Sequence, residues 1–201
     1  MDMLLASDLM RIAHLFAVIL AMGAAFFADW RMFGGIHRPI APRELGLFDD
    51  LHRFVVGTLA LVWITGLALI WLRTGFQLSE FSPKLFSKLI VVTVLTLNAT
   101  AIGAFALPLM RTRMGAVPLH FSLSQKLTLG TVAAVSTASW LLALSLGGSK
   151  VLAASGWDIL VPLLAGAYSG AILLAGAGAI ASHAALSIGA ANDPFQRLKN
   201  A

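Results

Sequence analysis

The sequence predicts an all-α protein, a polytopic bundle of five transmembrane helices. Hydrophobic residues make up 59% of the 201 residues and charged residues only 11%, and the mean hydropathy is +0.88. These values lie outside the range of soluble globular domains. The apolar residues are gathered into five stretches, each close to the roughly 20 residues that an α-helix needs to cross a bilayer. Because no linker divides the chain, residues 1–201 are expected to form a single domain.

The predicted spans cover about 9–28, 54–72, 89–110 and 127–148, and a fifth begins near residue 159. The fifth has no charged residue between Asp158 and Asp193, so hydropathy does not define its end. Four tryptophans near the predicted ends are interpreted as interfacial anchors, namely Trp30, Trp71, Trp140 and Trp157.

Lys and Arg predict the orientation, because loops rich in these residues tend to stay in the cytoplasm. One side of the predicted bundle carries nine of the fourteen: Arg31, Arg38, Arg43, Arg53, Arg111, Arg113, Lys126, Arg197 and Lys199. The other side carries Arg11, Arg73, Lys84, Lys88 and Lys150. We therefore expect a multi-pass protein of a bacterial inner (plasma) membrane, with its N-terminus outside and its C-terminus inside. The net charge of +5 is then explained by topology, and no nucleic-acid partner is expected.

Small residues in the fifth span predict close helix contacts. Gly166 and Gly170 form a GxxxG spacing, and Gly178 with Ser182 repeats a small-residue spacing. The preferred interpretation is packing within the bundle. A homodimer interface, or a role as a structural subunit of a larger membrane complex, is the alternative.

His14 is the strongest candidate for a functional residue. It is ionisable and lies inside an apolar segment, where such groups usually face a bundle interior or a cavity. Lys88 is expected at a similar depth, and Arg11 lies one helical turn from His14. Together they would suit an anionic ligand such as a porphyrin, with iron on the imidazole and the propionates near the cations. The alternative is structural: Lys88 and Arg11 extend to the headgroups, and His14 is bound to a neighbouring helix.

A second polar layer is predicted near the other membrane boundary. His52 and His183 lie on different predicted helices and would be able to ligate one metal or haem, unless both are simply hydrated. Asn98 lies in the middle of the third span and is expected to hydrogen-bond to another helix or to a ligand. The chain has no cysteine, and no P-loop, HExxH or GxSxG motif occurs, so thiolate sites are excluded and hydrolytic chemistry is not expected.

The first three spans resemble HemJ-type protoporphyrinogen oxidases and related CopD-like membrane proteins over about residues 9–113. The resemblance rests on RIAHLFAVILAMGAAFFADWRMF, LHRFVVGTLALVWITGLALIW and SPKLFSKLIVVTVLTLNAT, in which His14, Gly23, Arg31 and Lys88 match the pattern. It implies a b-type haem with His14 as axial ligand and Lys88 close by. The sequence departs from the pattern at Asn98 and Ala99, where those proteins carry a Tyr-His pair, and in having a fifth span.

The leading hypothesis is a haem b-binding membrane oxidoreductase or electron carrier that works on porphyrin or quinone, with catalysis left open. His14 holds the iron, Arg11 or Lys88 attracts the propionates, and Met22 is a further possible contact, as are Met10 and His52. The alternative is a CopD-like copper-handling protein that uses His14, His52 and nearby methionines.

Overall fold

The computed structural model describes the backbone of residues 2–191 and the side chains of residues 4–188, and this part contains helices and turns without a strand. Five helical segments are long and apolar enough to cross a membrane, which confirms the predicted all-α, multi-pass architecture. The helices are α1 (Asp2–Gly34), α2 (Pro42–Thr74), α3 (Pro83–Ala101), a π-helix (Ile102–Ala106), α4 (Leu107–Thr112), α5 (Leu123–Gly148), the short α6 (Lys150–Ala154) and α7 (Trp157–Ala191). The third span runs without a break through α3, the π-helix and α4.

The helix ends follow from local sequence signals. Ser82 and Ser122 cap the N-termini of α3 and α5, since each side chain accepts a hydrogen bond from a backbone N–H three residues on. α2 and α3 each have proline in the first turn, where its missing N–H costs nothing. α2 is capped by Gly75, the residue after its last turn, whose φ of 55° is left-handed and therefore suits glycine.

The helices are longer than the predicted spans. α1 has 33 residues, or about 50 Å of helix, against a hydrocarbon core of about 30 Å. Trp30, Trp71 and Trp157 are exposed near helix ends, as expected of interfacial anchors. Trp140 is 1% exposed and belongs to the core. The prediction of an interfacial Trp140 was therefore wrong, because this residue lies on the inward side of α5.

The bundle has two ends. The N-terminal end contains the start of α1 and residues 75–82 and 149–156, and the C-terminal end contains residues 35–41 and 113–122. α1 packs along α2 as a hairpin, while α5 packs along both α7 and α3. Contacts between the hairpin and the other three spans are sparser.

Small residues and polar bonds hold neighbouring helices together. On α1, Ala17, Ala21 and Ala25 repeat every four residues and are buried in the central core, which allows α1 to approach its neighbours closely. Side-chain hydrogen bonds connect adjacent spans, and they join His14 to Thr65, Trp63 to Thr96, Asn98 to Val132, Thr137 to Asp29, and Ser139 to Tyr168. Such bonds hold a membrane bundle together where lipid supplies no hydrophobic drive.

The glycines of α7 do not pack as predicted. A methyl group built on Gly166, Gly170 or Gly178 would meet no atom of another described residue within 4 Å. The preferred interpretation, packing within the bundle, was therefore wrong for these glycines, because α7 turns them away from the other described helices. The close approach of α5 and α7 occurs instead at Gly130, where a Cβ would lie 3.6 Å from the Cβ of Ala175.

The π-helix precedes Pro108 and has a local cause. Proline lacks the N–H that would bond to the carbonyl four residues earlier, and its ring crowds that carbonyl. The chain accommodates it by widening one turn, and the N–H of Leu107 bonds to the carbonyl of Ile102, five residues back. Single π turns of this kind are frequent at functional sites.

Candidate functional site

His14 is anchored to α2 by a defined hydrogen bond, which is the contact with a neighbouring helix that the structural alternative predicts. Its Nδ1 lies 2.9 Å from Oγ1 of Thr65. The single hydroxyl hydrogen of Thr65 is already used, because Oγ1 donates to the carbonyl of Leu61 at 2.6 Å. Thr65 must therefore accept from His14, so the neutral ring carries its proton on Nδ1 and leaves the lone pair of Nε2 available as a ligand.

Gly66 provides the space for this ring. A Cβ at this position would lie 3.3 Å from Cε1 and 3.7 Å from Nδ1 of His14, whereas Nε2 is more than 4 Å away. The ring therefore rests against the backbone of α2 on its Nδ1 and Cε1 side. The side of the ring that carries Nε2 points away from Gly66.

The other residues predicted to accompany His14 are placed differently from one another. Lys88 is exposed and stands in the second turn of α3. Lys84 in the first turn of α3 and Arg73 in the last turn of α2 lie at the same end of the bundle, so the N-terminal end carries three cationic groups. Arg11 is exposed and pairs with Asp8 on the same helix at 3.6 Å. Met22 packs against the central core.

A partly open cavity of about 120 Å³ lies toward the C-terminal end, between the α1–α2 hairpin and the α3–α5 pair. Apolar side chains form most of its wall, including Leu59, Leu95 and Met110. The polar residues in the wall are Asp29, His52, Asn98, Ser136 and Trp140. His14, Lys88 and Arg11 are not part of this lining. A mostly apolar pocket with a few polar groups has the usual composition of a small-molecule site.

Two of these polar residues are held by α5. Nδ2 of Asn98 donates to the carbonyl of Val132 at 2.9 Å, so Asn98 forms the predicted bond between helices. Thr137 donates to Oδ2 of Asp29 at 2.9 Å. Within the described residues Asp29 has no ion pair, so it presents a carboxylate to the cavity without a cationic partner.

His52 on α2 lines the same cavity and packs against Gly103 of the π-helix. A Cβ on Gly103 would lie 3.0 Å from Nε2 of His52, so any larger residue there would crowd the imidazole. The π-helix therefore places a glycine where the ring needs room. His52 and Thr65 are thirteen residues apart on α2, or about 20 Å along the axis, so His52 and His14 occupy separate sites.

Trp140 and Ser136 contribute unpaired polar atoms to the wall. Both residues are more than nine-tenths buried, and no side-chain hydrogen bond to another described residue involves the indole Nε1 or the Ser136 hydroxyl. Every fully enclosed polar side-chain atom of the described residues has a partner. These two atoms therefore keep some accessible surface, and both residues line the cavity.

His183, the remaining predicted metal ligand, lies elsewhere. It is exposed and lines a second, open pocket together with Arg113, His120 and Gln125. The structure does not bring it together with His52. Across the described part of the chain, no group of three or more His, Asp or Glu residues is arranged to hold a metal ion.

Sequence reasoning missed Asp29 and Trp140 as parts of a site. Asp29 directly follows the predicted first span, and drawing the boundary at the first charged residue removed it from the membrane. Its signal is an acidic residue just before the basic Arg31, in the last turns of a long apolar helix. Trp140 stands eight residues before the end of α5, which is too far inside for an interfacial anchor.

No protein-family model, curated protein or solved structure matches this chain.

Proposed function

We propose that this protein is a haem b-binding redox protein of a bacterial inner membrane, in which Nε2 of His14 would hold the haem iron. The observation that carries the proposal is the chain of hydrogen bonds from His14 Nδ1 to Thr65 and from Thr65 to the Leu61 carbonyl. A metal-binding histidine almost always has its second ring nitrogen held in this way, because this sets the tautomer and the ring orientation. The residues around His14 therefore fit an axial ligand.

The charges near His14 support the same ligand. Haem carries two propionates, and Lys88 with Lys84 and Arg73 provides positive charge at the N-terminal end. Arg11 is already paired with Asp8 and is the weaker candidate for a propionate contact. When bound, the haem would supply one-electron redox chemistry, and the protein would tune it through the imidazole and its hydrogen bond to Thr65.

The size of the cavity argues against haem at His52. An engineered cavity of about 150 Å³ holds one benzene ring, and the cavity beside His52 has about 120 Å³. A porphyrin, which is built from four pyrrole rings, exceeds this space.

We place the C-terminal end toward the cytoplasm, because Lys and Arg are more numerous in its loops.

An absorption spectrum tests the proposal. The protein would be produced with haem supplied, purified in lipid nanodiscs and scanned in oxidised and reduced states. We expect a Soret band in the wild type, its loss in His14→Ala, and its recovery when imidazole is added to that variant. The matched controls are His37→Ala in the first loop and His52→Ala in the cavity, and both should keep the band.

Two results would overturn the proposal. One is a colourless wild type after reconstitution with haem, and the other is an unchanged spectrum in His14→Ala. Metal analysis of the same samples separates the copper-handling alternative, which requires copper in stoichiometric amount without a porphyrin.

A further inference from the structure

We infer that the cavity lined by Asp29, His52 and Trp140 is a second binding site, one that takes a neutral single-ring molecule carrying a hydroxyl group, of the phenol or hydroquinone class. His52 in its wall lies about 20 Å along α2 from Thr65, the partner of His14. It stands independently of the haem proposal, since none of the His14 contacts contributes to its wall.

The size of the cavity selects a single ring. A volume of about 120 Å³ is slightly below that of an engineered apolar cavity that holds benzene, at about 150 Å³. Because the cavity is partly open, a ring substituent can extend beyond it. Two fused rings would exceed the enclosed space.

The polar atoms in the wall select a ligand that both donates and accepts hydrogen bonds. The indole N–H of Trp140 is a donor that nothing among the described residues accepts, and a ligand oxygen would satisfy it. Asp29 has one carboxylate oxygen beyond the one bound to Thr137, and it would accept the ligand's O–H. Burying an unpaired polar group costs free energy, so a hydroxylated ring fits this wall better than a plain hydrocarbon does.

The charge of the cavity wall selects a ligand in its neutral form. Among the described residues no Lys or Arg lines the cavity, and Asp29 is the acidic residue in its wall. An anion placed there would face a carboxylate without a compensating cation, in surroundings of low dielectric constant. Phenolates and carboxylates are therefore excluded, whereas a neutral phenol or hydroquinone is accepted.

The probe for this site is 4-fluorophenol, followed by ¹⁹F NMR on the full-length protein in nanodiscs. Its matched control is 4-fluoroanisole, in which a methyl group replaces the hydroxyl hydrogen, and empty nanodiscs measure partition into lipid. We expect saturable binding of 4-fluorophenol that is about tenfold tighter than that of 4-fluoroanisole, the size expected for one hydrogen bond. Equal affinity for both probes, or signals identical to those of empty nanodiscs, would overturn the proposal.

Variants then locate the binding. Asp29→Asn preserves the volume but replaces the accepting oxygen by an amide, and it should weaken 4-fluorophenol binding about tenfold while leaving 4-fluoroanisole unchanged. Ala99→Leu fills the cavity and should abolish binding of both probes. Ala104→Leu, on the exposed face of the π-helix, is the matched control and should bind both probes like the wild type.

The variants also protect the test against misfolding. If Ala99→Leu does not fold, Ala133→Leu on α5 fills the cavity from the other side. Wild-type affinity for 4-fluorophenol in a folded cavity-filling variant would contradict the proposal. Haem content plays no part in these measurements, so a protein that fails to bind haem can still pass them.

Discussion

The two candidate regions differ in how their polar groups are satisfied. Near the N-terminal end, His14 is fixed by a hydrogen bond to Thr65 and rests against Gly66. Near the C-terminal end, the polar groups of Trp140 and Ser136 find no partner among the described residues, although both residues are buried. The first region positions one atom, Nε2, whereas the second surrounds a space with several atoms.

This difference indicates two kinds of binding. A held imidazole is suited to a directional bond with a metal, because its tautomer and orientation are already set. A pocket with unsatisfied donors and acceptors is suited to a small molecule that completes them. The same α2 helix serves both regions, with Thr65 and Gly66 at one and His52 at the other.

Removing the indole that forms the cavity wall should have the largest effect on stability. Trp140 is 1% exposed in the central core, and replacing a buried aromatic residue by alanine typically costs about 3–5 kcal/mol. Trp140→Ala should therefore lower the free energy of unfolding by that amount in mixed detergent micelles. Trp71→Ala, at a side chain that is 60% exposed, should cost less than about 1 kcal/mol. Equal losses would contradict the assignment of Trp140 to the core.

The two glycines beside the histidines provide a matched pair of substitutions. Glycine to alanine in a helix stabilises by about 1 kcal/mol when the new methyl group has room. On Gly103 that methyl lies 3.0 Å from Nε2 of His52, and on Gly66 it lies 3.3 Å from Cε1 of His14. Gly103→Ala should lower stability by about 1–3 kcal/mol through overpacking, while Gly66→Ala should be nearly neutral.

Thermal unfolding in detergent measures this pair, and the Soret band of Gly66→Ala shows whether His14 has moved. A Gly103→Ala variant more stable than the wild type would mean that the His52 ring has room to turn aside. The position of the His52 ring in the cavity would then be less constrained than that of the His14 ring.

The architecture was predictable from the sequence, because hydropathy over about 20 residues reports the length of an apolar segment directly. The five spans were all found on this basis. Their ends were less predictable, since a helix continues through the headgroup region. Asp29 lies at such an end. Its charge places it outside a span predicted from hydropathy, although the helix continues past it.

The candidate site was predictable only in part. His14 stood out because an imidazole in an apolar segment is rare, but its partner Thr65 carries no signal of its own in a helix. The sequence does not show which neighbour each side of a helix faces, because the rotation of a helix in the bundle depends on the helices around it. The predicted surroundings of Trp140 and of the α7 glycines were wrong for this reason. Likewise, Gly103 gains its meaning only from the ring of His52 on another helix.

Removing one hydroxyl from each region tests whether the hydrogen-bonding groups of the two regions differ in having partners. Thr65→Val keeps the side-chain shape but leaves the Nδ1 proton of His14 without an acceptor, and should cost about 1–2 kcal/mol. Ser136→Ala removes a hydroxyl that bonds to no other side chain in the described part of the chain, and it should change stability by less than about 0.5 kcal/mol. The free energy of unfolding of both variants is measured in the same micelles. A larger loss of stability in Ser136→Ala than in Thr65→Val would contradict the difference between the two regions.

The smallest effect is expected from ion pairs at the two ends of the bundle. At the C-terminal end, Arg111 on α4 pairs with Asp49 on α2 at 2.6 Å, and the Asp49 side chain is only 22% exposed. At the N-terminal end, Arg11 pairs with Asp8 at 3.6 Å within α1, and both are largely exposed. Asp49→Asn should cost about 0.5–1 kcal/mol, and Asp8→Asn should have no measurable effect.

A double-mutant cycle with Arg111→Gln isolates the coupling between the two C-terminal residues. Added salt should reduce that coupling, because the pair is partly exposed. This pair joins the hairpin to the third span beside the cavity, whereas the N-terminal pair joins no two helices. A coupling energy near zero for Arg111 and Asp49 would mean that apolar packing alone holds the cavity walls together at this end.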